Sequence, residues 1–208
     1  VYASLLFGFS VLVTIALYLN GTYDSIAQAA RYASFQVVSI MTTTGYSTAD
    51  FSIWPGFIPI MLICIAFIGG CAGSTCGGMK VVRIMLLYRQ AAREIRRLIH
   101  PQAVIPVKIG NRKTSTTVMD AVWGFFFLYI ASFAVMTILL TATGLDAETA
   151  YSTVGACITN LGPALGLAGP NYADLNDTAK VILSIAMLLG RLEIYTLLVL
   201  LTPAFWRG

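Results

Sequence analysis

Two short polar runs, each flanked by apolar sequence, carry residue types that could bind a cation without using charged side chains. The first is Met41–Thr48, MTTTGYST, and the second is Thr159–Pro163, TNLGP. A cation that leaves water must exchange hydration oxygens for fixed oxygens, and main-chain carbonyls can supply them. Glycine permits the positive φ angles with which successive carbonyls face one axis. Both runs are therefore candidate cation-coordinating segments.

Four residues of each run form the candidate filter: Thr43, Thr44, Gly45, Tyr46, Asn160, Leu161, Gly162 and Pro163. Threonine hydroxyls can add oxygens, and Tyr46 is expected to brace the loop from behind. A single threonine run is also typical of a helix end, because Thr bonds to helix carbonyls and Gly terminates helices. Two runs in equivalent places weaken that alternative.

A glycine-rich block interrupts an apolar segment between the two runs. Gly69–Gly78, GGCAGSTCGG, should break a helix, because an interior glycine costs about 1 kcal/mol relative to alanine. Helix packing through small residues is one alternative. A phosphate loop is excluded, because Met79 separates Gly78 from Lys80 and Val81 follows. We interpret the block as an intramembrane gating loop that comprises Gly69, Gly70, Gly73, Ser74, Gly77 and Gly78.

Arg191 lies within the last apolar segment, Val181–Trp206. An arginine near the bilayer centre costs about 2.5 to 3.5 kcal/mol on insertion scales, so a lipid-facing position is disfavoured. Pairing with Glu193 is awkward, because helical residues two apart face different directions. From the residues alone, an ion pair with another helix remains open.

The composition indicates a membrane protein. Of the 208 residues, 58% are hydrophobic and 11% are charged, whereas about 25% charge is usual in soluble domains. The charge-free runs Val1–Tyr23, Phe51–Met79 and Ala121–Leu145 each exceed the ~20 residues that span a bilayer. The cysteines at positions 64, 71, 76 and 157 lie in apolar sequence and are expected to be packing residues.

The charge distribution predicts the topology. Lysines and arginines concentrate between Lys80 and Thr117, which places this linker in the cytoplasm: Lys80, Arg83, Arg89, Arg93, Arg96, Arg97, Lys108, Arg112 and Lys113. Acidic residues then collect at an external mouth that would attract cations: Asp24, Asp50, Asp146, Glu148, Asp174 and Asp177. Both chain ends are predicted to be cytoplasmic. A basic segment beside a membrane span reflects topology and lipid headgroups, so no nucleic-acid partner is expected.

The layout predicts an all-α membrane protein with tandem helix–pore loop–helix repeats. The expected spans are Val1–Leu19, Trp54–Met79, Met119–Thr143 and Val181–Phe205, with pore helices at Ile26–Met41 and Ala147–Ile158. Placing Gly162 over Gly45 also aligns Thr159 with Thr42, Val154 with Val37 and Ala150 with Ala33. Non-helical backbone at membrane depth must be buried or line a water-filled path, which indicates a pore.

Several blocks resemble the TrkH/TrkG/KtrB potassium-uptake family. Thr43–Ser47, TTGYS, resembles the family's filter, itself similar to the TVGYG filter of potassium channels. Phe67–Lys80, Asn160–Gly166 and Gly190–Glu193 resemble further blocks of the TrkH branch. The resemblance implies the potassium-channel type of M1-P-M2 repeat, with K⁺ at Thr43, Thr44, Gly45, Asn160, Leu161 and Gly162. It also implies a gating role for the glycine-rich block and a barrier role for Arg191.

The resemblance further implies how the chain is organised. Residues 1–98 would be the third of the family's four repeats, 99–117 a basic cytoplasmic linker, and 118–208 the fourth repeat, with two N-terminal repeats absent. The expected partners are the lipid bilayer, those missing repeats, a second copy in a homodimer and a cytoplasmic nucleotide-binding regulatory ring of the TrkA/KtrA type. The expected location is the bacterial inner membrane. K⁺ is the transported ion, and no bound organic cofactor is expected.

Two other functions are alternatives to a potassium pore. An aquaporin-like facilitator for water or small neutral solutes also uses re-entrant half-helices, but it does not need an acidic mouth. An intramembrane serine protease built on Ser74 would need a nearby base. His100, the sole histidine, lies at the end of the basic helix Val81–Ile99 and is expected to be solvent-exposed. No enzyme activity is predicted. Finally, Ile105–Val118, with Gly110-Asn111 inside, is expected to form a short cytoplasmic hairpin.

Overall fold

The computed structural model describes residues 1–71, 73–103, 105–109, 112–169, 171–201 and 205–207. Within these ranges the chain is helical apart from one small hairpin, as the sequence predicts. The α-helices are α1 (Tyr2–Leu19), α2 (Ile26–Met41), α3 (Ile58–Ala66), α4 (Val81–Ile99), α5 (Thr116–Ala142), α6 (Ala147–Ile158), α7 (Asp177–Arg191) and α8 (Ile194–Leu201).

In the first half, α1 packs along α2, and α2 packs on α3. The Ser25 side chain caps α2 by accepting a hydrogen bond from the Gln28 N–H at 3.2 Å. The buried faces meet in one core cluster that includes Leu17, Val37 and Leu62. The helix α2 is thereby held between α1 and α3.

The second half repeats this arrangement, with α6 packed between α5 and α7. Asp146 caps α6 by accepting from the Thr149 N–H at 2.9 Å, and Asn176 caps α7 by accepting from the Ala179 N–H at 2.7 Å. The helix α6 is almost entirely buried, and it also packs on α3 of the first half. The two halves thus share an interface between α3 of the first half and α6 of the second.

Phe67, which follows α3, connects the two hydrophobic cores. Its ring makes edge-to-face contacts with Tyr129 and Phe133 of α5, at centroid distances of 6.1 and 5.2 Å. Such aromatic pairs stabilise beyond their buried area by about 0.5 to 1.5 kcal/mol. Phe67, two positions before the first glycine of the glycine-rich block, is therefore firmly anchored.

The second long apolar segment of each half is broken. The predicted span Trp54–Met79 is helical over Ile58–Ala66, and a helix resumes at Val81. The break in the glycine-rich block was predicted. A second break, at Leu192–Glu193 between α7 and α8, was not predicted. The expectation of one helix through Val181–Phe205 is therefore wrong at these two residues. Glu193 has φ +51°, a left-handed value that a continuous helix cannot accommodate.

The surface of the long helices is apolar. Among the described residues, Tyr2–Leu19 and Thr116–Ala142 are long and apolar enough to cross a membrane. Large side chains on these helices are highly exposed, including Phe7 at 73% and Phe127 at 70%. Continuous exposed apolar surface of this kind fits lipid or a further protein surface rather than water.

Part of the hairpin predicted over Ile105–Val118 is present as a short antiparallel ladder, whereas the end of that range belongs to α5, which begins at Thr116. The strands β1 (Lys108–Ile109) and β2 (Arg112–Lys113) pair with Lys108 opposite Lys113. The expected turn at 110–111 lies outside the described residues. Helix α4 ends at Ile99, and His100 is exposed after it, as predicted.

Candidate functional site

The first polar run continues directly from the C-terminus of α2. The Thr44 N–H donates to the Ser39 carbonyl at 2.8 Å, which closes the last turn of the helix. Thr43 (φ +53°) and Gly45 (φ +81°) both adopt left-handed backbone angles. That conformation is uncommon for a β-branched residue such as Thr43. The chain therefore leaves the helix through a tight, strained turn.

The second run leaves α6 along the same backbone path. The Leu161 N–H donates to the Ala156 carbonyl at 2.8 Å, and Asn160 (φ +54°) and Gly162 (φ +102°) are again left-handed. When the two filter glycines are superposed, Asn160 and Leu161 occupy the positions of Thr43 and Thr44. Two sequences with different side chains thus make the same main-chain turn.

The two turns lie against each other. A Cβ atom on Gly45 would overlap the Leu161 carbonyl oxygen and lie 3.3 Å from the Pro163 ring, so the contact requires glycine. The Leu161 side chain is buried and packs in the core of the first half. This packing gives a structural reason for leucine where the first run has a threonine.

The main chain of each turn is held by a hydroxyl group. The Ser39 hydroxyl of α2 donates to the Tyr46 carbonyl at 2.5 Å, and the Tyr172 hydroxyl donates to the Gly162 carbonyl at 2.6 Å. The expected brace by the Tyr46 ring is wrong within this chain, since that side chain is 74% exposed. Its carbonyl, rather than its ring, is turned toward α2.

Helix C-terminal ends favour a cation at these turns, and acidic residues lie further away, at helix N-terminal ends. The C-terminal ends of α2 and α6 carry partial negative charge and meet the two runs directly. Acidic side chains cap or begin helices at the opposite ends, including Asp146 and Asp177. Hydrogen bonds from the side chain and main chain of Thr149 lower the pKa of Asp146, which keeps this carboxylate charged.

The glycine-rich block forms a loop whose two ends are joined by main-chain hydrogen bonds. The Met79 N–H donates to the Phe67 carbonyl at 2.9 Å, and the Val81 N–H donates to the Gly70 carbonyl at 3.1 Å. Gly69, Gly73 and Gly78 have φ values between +66° and +81°. The alternative of a continuous helix packed through small residues is therefore wrong.

The tip of this loop contacts the helix-side ends of both polar runs. The Cys76 thiol donates to the Thr42 carbonyl at 3.0 Å, and the Gly77 N–H donates to the Thr43 hydroxyl at 3.2 Å. A Cβ atom on Gly77 would overlap the Thr159 carbonyl oxygen. Gly70 is similarly crowded, by the Ser74 and Cys76 side chains. The loop thus lies beneath the candidate filter, at the end where α2 and α6 terminate.

Arg191 ends α7 and contacts the same loop. Its guanidinium Nη1 donates to the Thr75 carbonyl at 2.9 Å, and it has no acidic partner within the described residues. The ion-pair interpretation of Arg191 is therefore unsupported. Arg191 and the loop residues Ser74–Gly78 line one cavity of about 230 Å³, together with Tyr129 of α5.

Glu193 has partners that sequence reasoning missed. Its carboxylate accepts from the Lys80 ammonium at 2.7 Å and from the Arg83 guanidinium at 2.8 Å. These residues are more than 100 positions apart, so no local pattern indicates the pairing. Tyr172, which holds the Gly162 carbonyl, was also missed, because it lies in an irregular segment without periodicity.

The remaining expectations for reactive residues are resolved by local contacts. The Ser74 hydroxyl donates to the Cys71 carbonyl at 2.7 Å, while His100 lies at the far end of α4, so a serine–base pair is not formed. Cys157 is buried as expected. Cys64 and Cys71 are exposed in this chain, so the expectation that they are packing residues is wrong for them.

The fold and site define a membrane protein built of tandem helix–pore loop–helix repeats, in the manner of potassium channels. The family model TrkH, described as a cation transport protein, matches residues 6–207. The chain is 54% identical over 200 residues to the Trk system potassium uptake protein TrkH of Halomonas elongata, and 49% identical over 197 residues to that of Escherichia coli K12. These matches cover 96% and 95% of the chain.

A solved structure agrees. The crystal structure of the potassium transporter TrkH from Vibrio parahaemolyticus superposes with a TM-score of 0.91 at 49% identity, over 97% of this chain and 43% of that one. This chain belongs to the TrkH family. It spans about 41% of the length of the two curated relatives above.

Proposed function

We propose that this chain supplies two of the four repeats that surround a potassium-conducting pore in a channel-like uptake system. The observation that carries the proposal is the pair of turns Thr43–Gly45 and Asn160–Gly162. They follow one backbone path, end two inward-directed short helices and touch each other. The relatives' names, which describe potassium uptake, support this assignment.

The filter is proposed to select potassium over sodium while also passing rubidium and caesium. Each repeat contributes one filter glycine, Gly45 or Gly162, and the second run places Leu161 and Pro163 beside it. Fewer carbonyls are then held identically around the axis than in a potassium-channel filter. Ion entry needs no chemical step, because 100 mV, inside negative, favours one positive charge by about 2.3 kcal/mol.

The glycine-rich loop and Arg191 are proposed to form the gate. The loop contacts Thr42, Thr43 and Thr159 from the cytoplasmic side of the filter. Arg191 places a positive charge beside it, where a passing cation would be repelled. Movement of the loop would open the path, and movement of Arg191 would lower the electrostatic barrier.

The complete pore requires further parts. Residues 1–98 and 118–208 are proposed as the third and fourth repeats, joined through the cytoplasmic linker 99–117 in the bacterial inner membrane. Two preceding repeats would complete the ring, a second copy would form a homodimer, and a nucleotide-binding ring would dock on the basic cytoplasmic surface. The arginines along α4, including Arg89 and Arg96, present that positive surface.

Rubidium-86 uptake into proteoliposomes tests the filter assignment. The four-repeat polypeptide containing this chain would be reconstituted as wild type and as Gly45→Ser, with potassium and sodium as competitors. We expect wild-type uptake to be blocked by potassium and only weakly by sodium. Gly45→Ser should lower this discrimination by at least about tenfold, because the side chain would overlap the Leu161 carbonyl.

Gly144→Ser provides a matched control. Gly144 also has a positive φ, +94°, but a Cβ atom there would meet nothing within 4 Å, so the substitution adds strain without touching the filter. It should leave the ratio of potassium to sodium competition unchanged. Equal competition by the two ions in the wild-type protein would contradict the proposal and favour the neutral-solute facilitator.

A further inference from the structure

Glu193 joins the two interrupted inward segments of the molecule. Its carboxylate lies between α7 and α8 and binds Lys80, the residue immediately before α4, and Arg83 in the first turn of α4. The Lys80 and Arg83 side chains are 22% and 25% exposed, so the pairs are partly shielded from water. The C-terminal end of the gating loop is thereby connected by ion pairs to the break between α7 and α8.

The backbone at both ends of this contact is strained. Lys80 has φ +66° and Glu193 has φ +51°, although neither is glycine. Such conformations persist where surrounding contacts impose them, and they cluster at switch regions. The ion pair between Lys80 and Glu193, together with the neighbouring pair between Arg83 and Glu193, supplies such a contact. Loss of the pairs would remove a restraint from the end of the loop.

Arg83 also has a second anchor. Its guanidinium carbon lies 4.0 Å from the centroid of the Phe125 ring on α5. A cation over an aromatic face at this distance is stabilised by the ring quadrupole. Arg83 therefore stays in place when Glu193 is neutralised, whereas Lys80, which has only Glu193 as its acidic partner among the described residues, is released.

We infer that Glu193 is a positioning residue that latches the gating loop beneath the filter through Lys80 and Arg83. The inference rests on the proposed function, since it assigns the loop's closed position to a particular contact. Arg191 bonds the loop near its tip, at Thr75, while Glu193 holds its C-terminal end. Opening then requires Lys80 to leave Glu193 while α4 moves relative to the α7–α8 break.

The native Cys76 thiol provides a readout of loop position that does not depend on ion flux. Its hydrogen bond to the Thr42 carbonyl protects it when the loop is beneath the filter, and it lines the cavity below. In a four-repeat polypeptide with Cys76 as its sole cysteine, a charged methanethiosulfonate reagent would be applied from the cytoplasmic side. Glu193→Gln should raise the modification rate by about fivefold, as loss of partly buried ion pairs allows.

Glu94→Gln is the matched control. Glu94 is also a half-exposed carboxylate bound by two arginines, Arg93 and Arg97, but it lies on the cytoplasmic half of α4 away from the loop. This variant should leave the Cys76 rate unchanged. Lys80→Gln should match Glu193→Gln, and the double variant should add little, because both remove the same contact.

Two results would overturn the latch. One is a Cys76 rate in Glu193→Gln equal to that of wild type, and the other is a double variant whose effect is the product of the two single effects. Rubidium uptake by the unmodified protein would be measured in parallel. If the protein takes up no rubidium but Glu193→Gln still raises the Cys76 modification rate, the proposed function is rejected and the latch is retained. Failure of the proposed function can therefore be distinguished from failure of the latch.

Discussion

At the scale of single residues, the two filter turns share a backbone but are held by different groups. Ser39 holds the first turn from within its own pore helix, at the Tyr46 carbonyl. The second turn is held from a later segment, where the Tyr172 hydroxyl reaches the Gly162 carbonyl at 2.6 Å. One phenol thus holds the Gly162 carbonyl, so we expect Tyr172 to influence selectivity if this turn is part of the proposed filter.

Replacing Tyr172 with phenylalanine should weaken ion discrimination. The ring is retained, so packing is conserved, while a hydrogen bond with a net contribution of about 1 kcal/mol is lost. We expect the preference for potassium over sodium, measured by competition against rubidium-86 uptake, to fall by about fivefold. An unchanged preference would mean that the Gly162 carbonyl is positioned by the backbone turn alone.

Tyr195→Phe is the corresponding control. The Tyr195 hydroxyl also donates to a main-chain carbonyl, that of Ala121 at 3.4 Å, but this bond joins α8 to α5 away from the filter. The substitution removes the same chemical group from a similar contact. The ion preference of this variant should equal that of wild type.

The sequence predicts the residues of the two turns better than it predicts the distant side chains that hold the turns and the loop in place. Gly45 and Gly162 are recognisable because a left-handed turn after a helix selects glycine locally. Tyr172 and Glu193 act on partners that only the folded chain brings close, at separations of 10 and more than 100 positions. Side-chain contacts of this kind leave no periodic pattern in one sequence, so they could not have been predicted.

At the scale of elements, the features to which we assign a function are interruptions of helices. The short helices Ile26–Met41 and Ala147–Ile158 and the basic helix Val81–Ile99 have the predicted bounds, because charged or turn-forming residues mark their ends. The break at the glycine-rich block was evident from composition. The break at Leu192–Glu193 was not, because neither glycine nor proline occurs at those positions and tertiary contacts fix the turn.

Gly77→Ala tests the contact between the broken segment and the filter. The added methyl group would overlap the Thr159 carbonyl oxygen at the end of the buried helix α6. Because α6 is packed on three sides, the loop is the part that must move. We expect uptake without a regulator to rise by at least about threefold, as the cost of an overpacked contact is typically 1 to 3 kcal/mol.

A control variant separates the contact from backbone strain. Gly73 lies in the same loop with φ +81°, but a Cβ atom there would meet nothing within 4 Å. Gly73→Ala therefore strains the loop without pushing it from the filter, and it should raise uptake less than Gly77→Ala does. A reduced rate in Gly77→Ala would instead indicate that the filter, not the loop, is displaced.

At the scale of the whole molecule, the chain brings two turns together and leaves apolar helix surfaces exposed. The two turns meet at Gly45 and Leu161, and the apolar surfaces of α1 and α5 are extensively exposed. Four repeats can close a pore either within one polypeptide or by pairing two copies of this chain. The second arrangement would alternate the unlike runs Thr43–Tyr46 and Asn160–Pro163 around the axis.

We expect the four repeats to close the pore within one polypeptide. The two turns already contact each other, and each is held by its own hydroxyl group, from Ser39 or Tyr172. The chain 1–208 reconstituted alone should give no potassium-sensitive rubidium-86 uptake, whereas the four-repeat polypeptide should give uptake that Gly45→Ser makes less selective. Chemical cross-linking in the same vesicles would report whether the short chain dimerises. Potassium-sensitive uptake by a cross-linked dimer would contradict this expectation, and it would show that the contact between Gly45 and Leu161 suffices to build a symmetric ring.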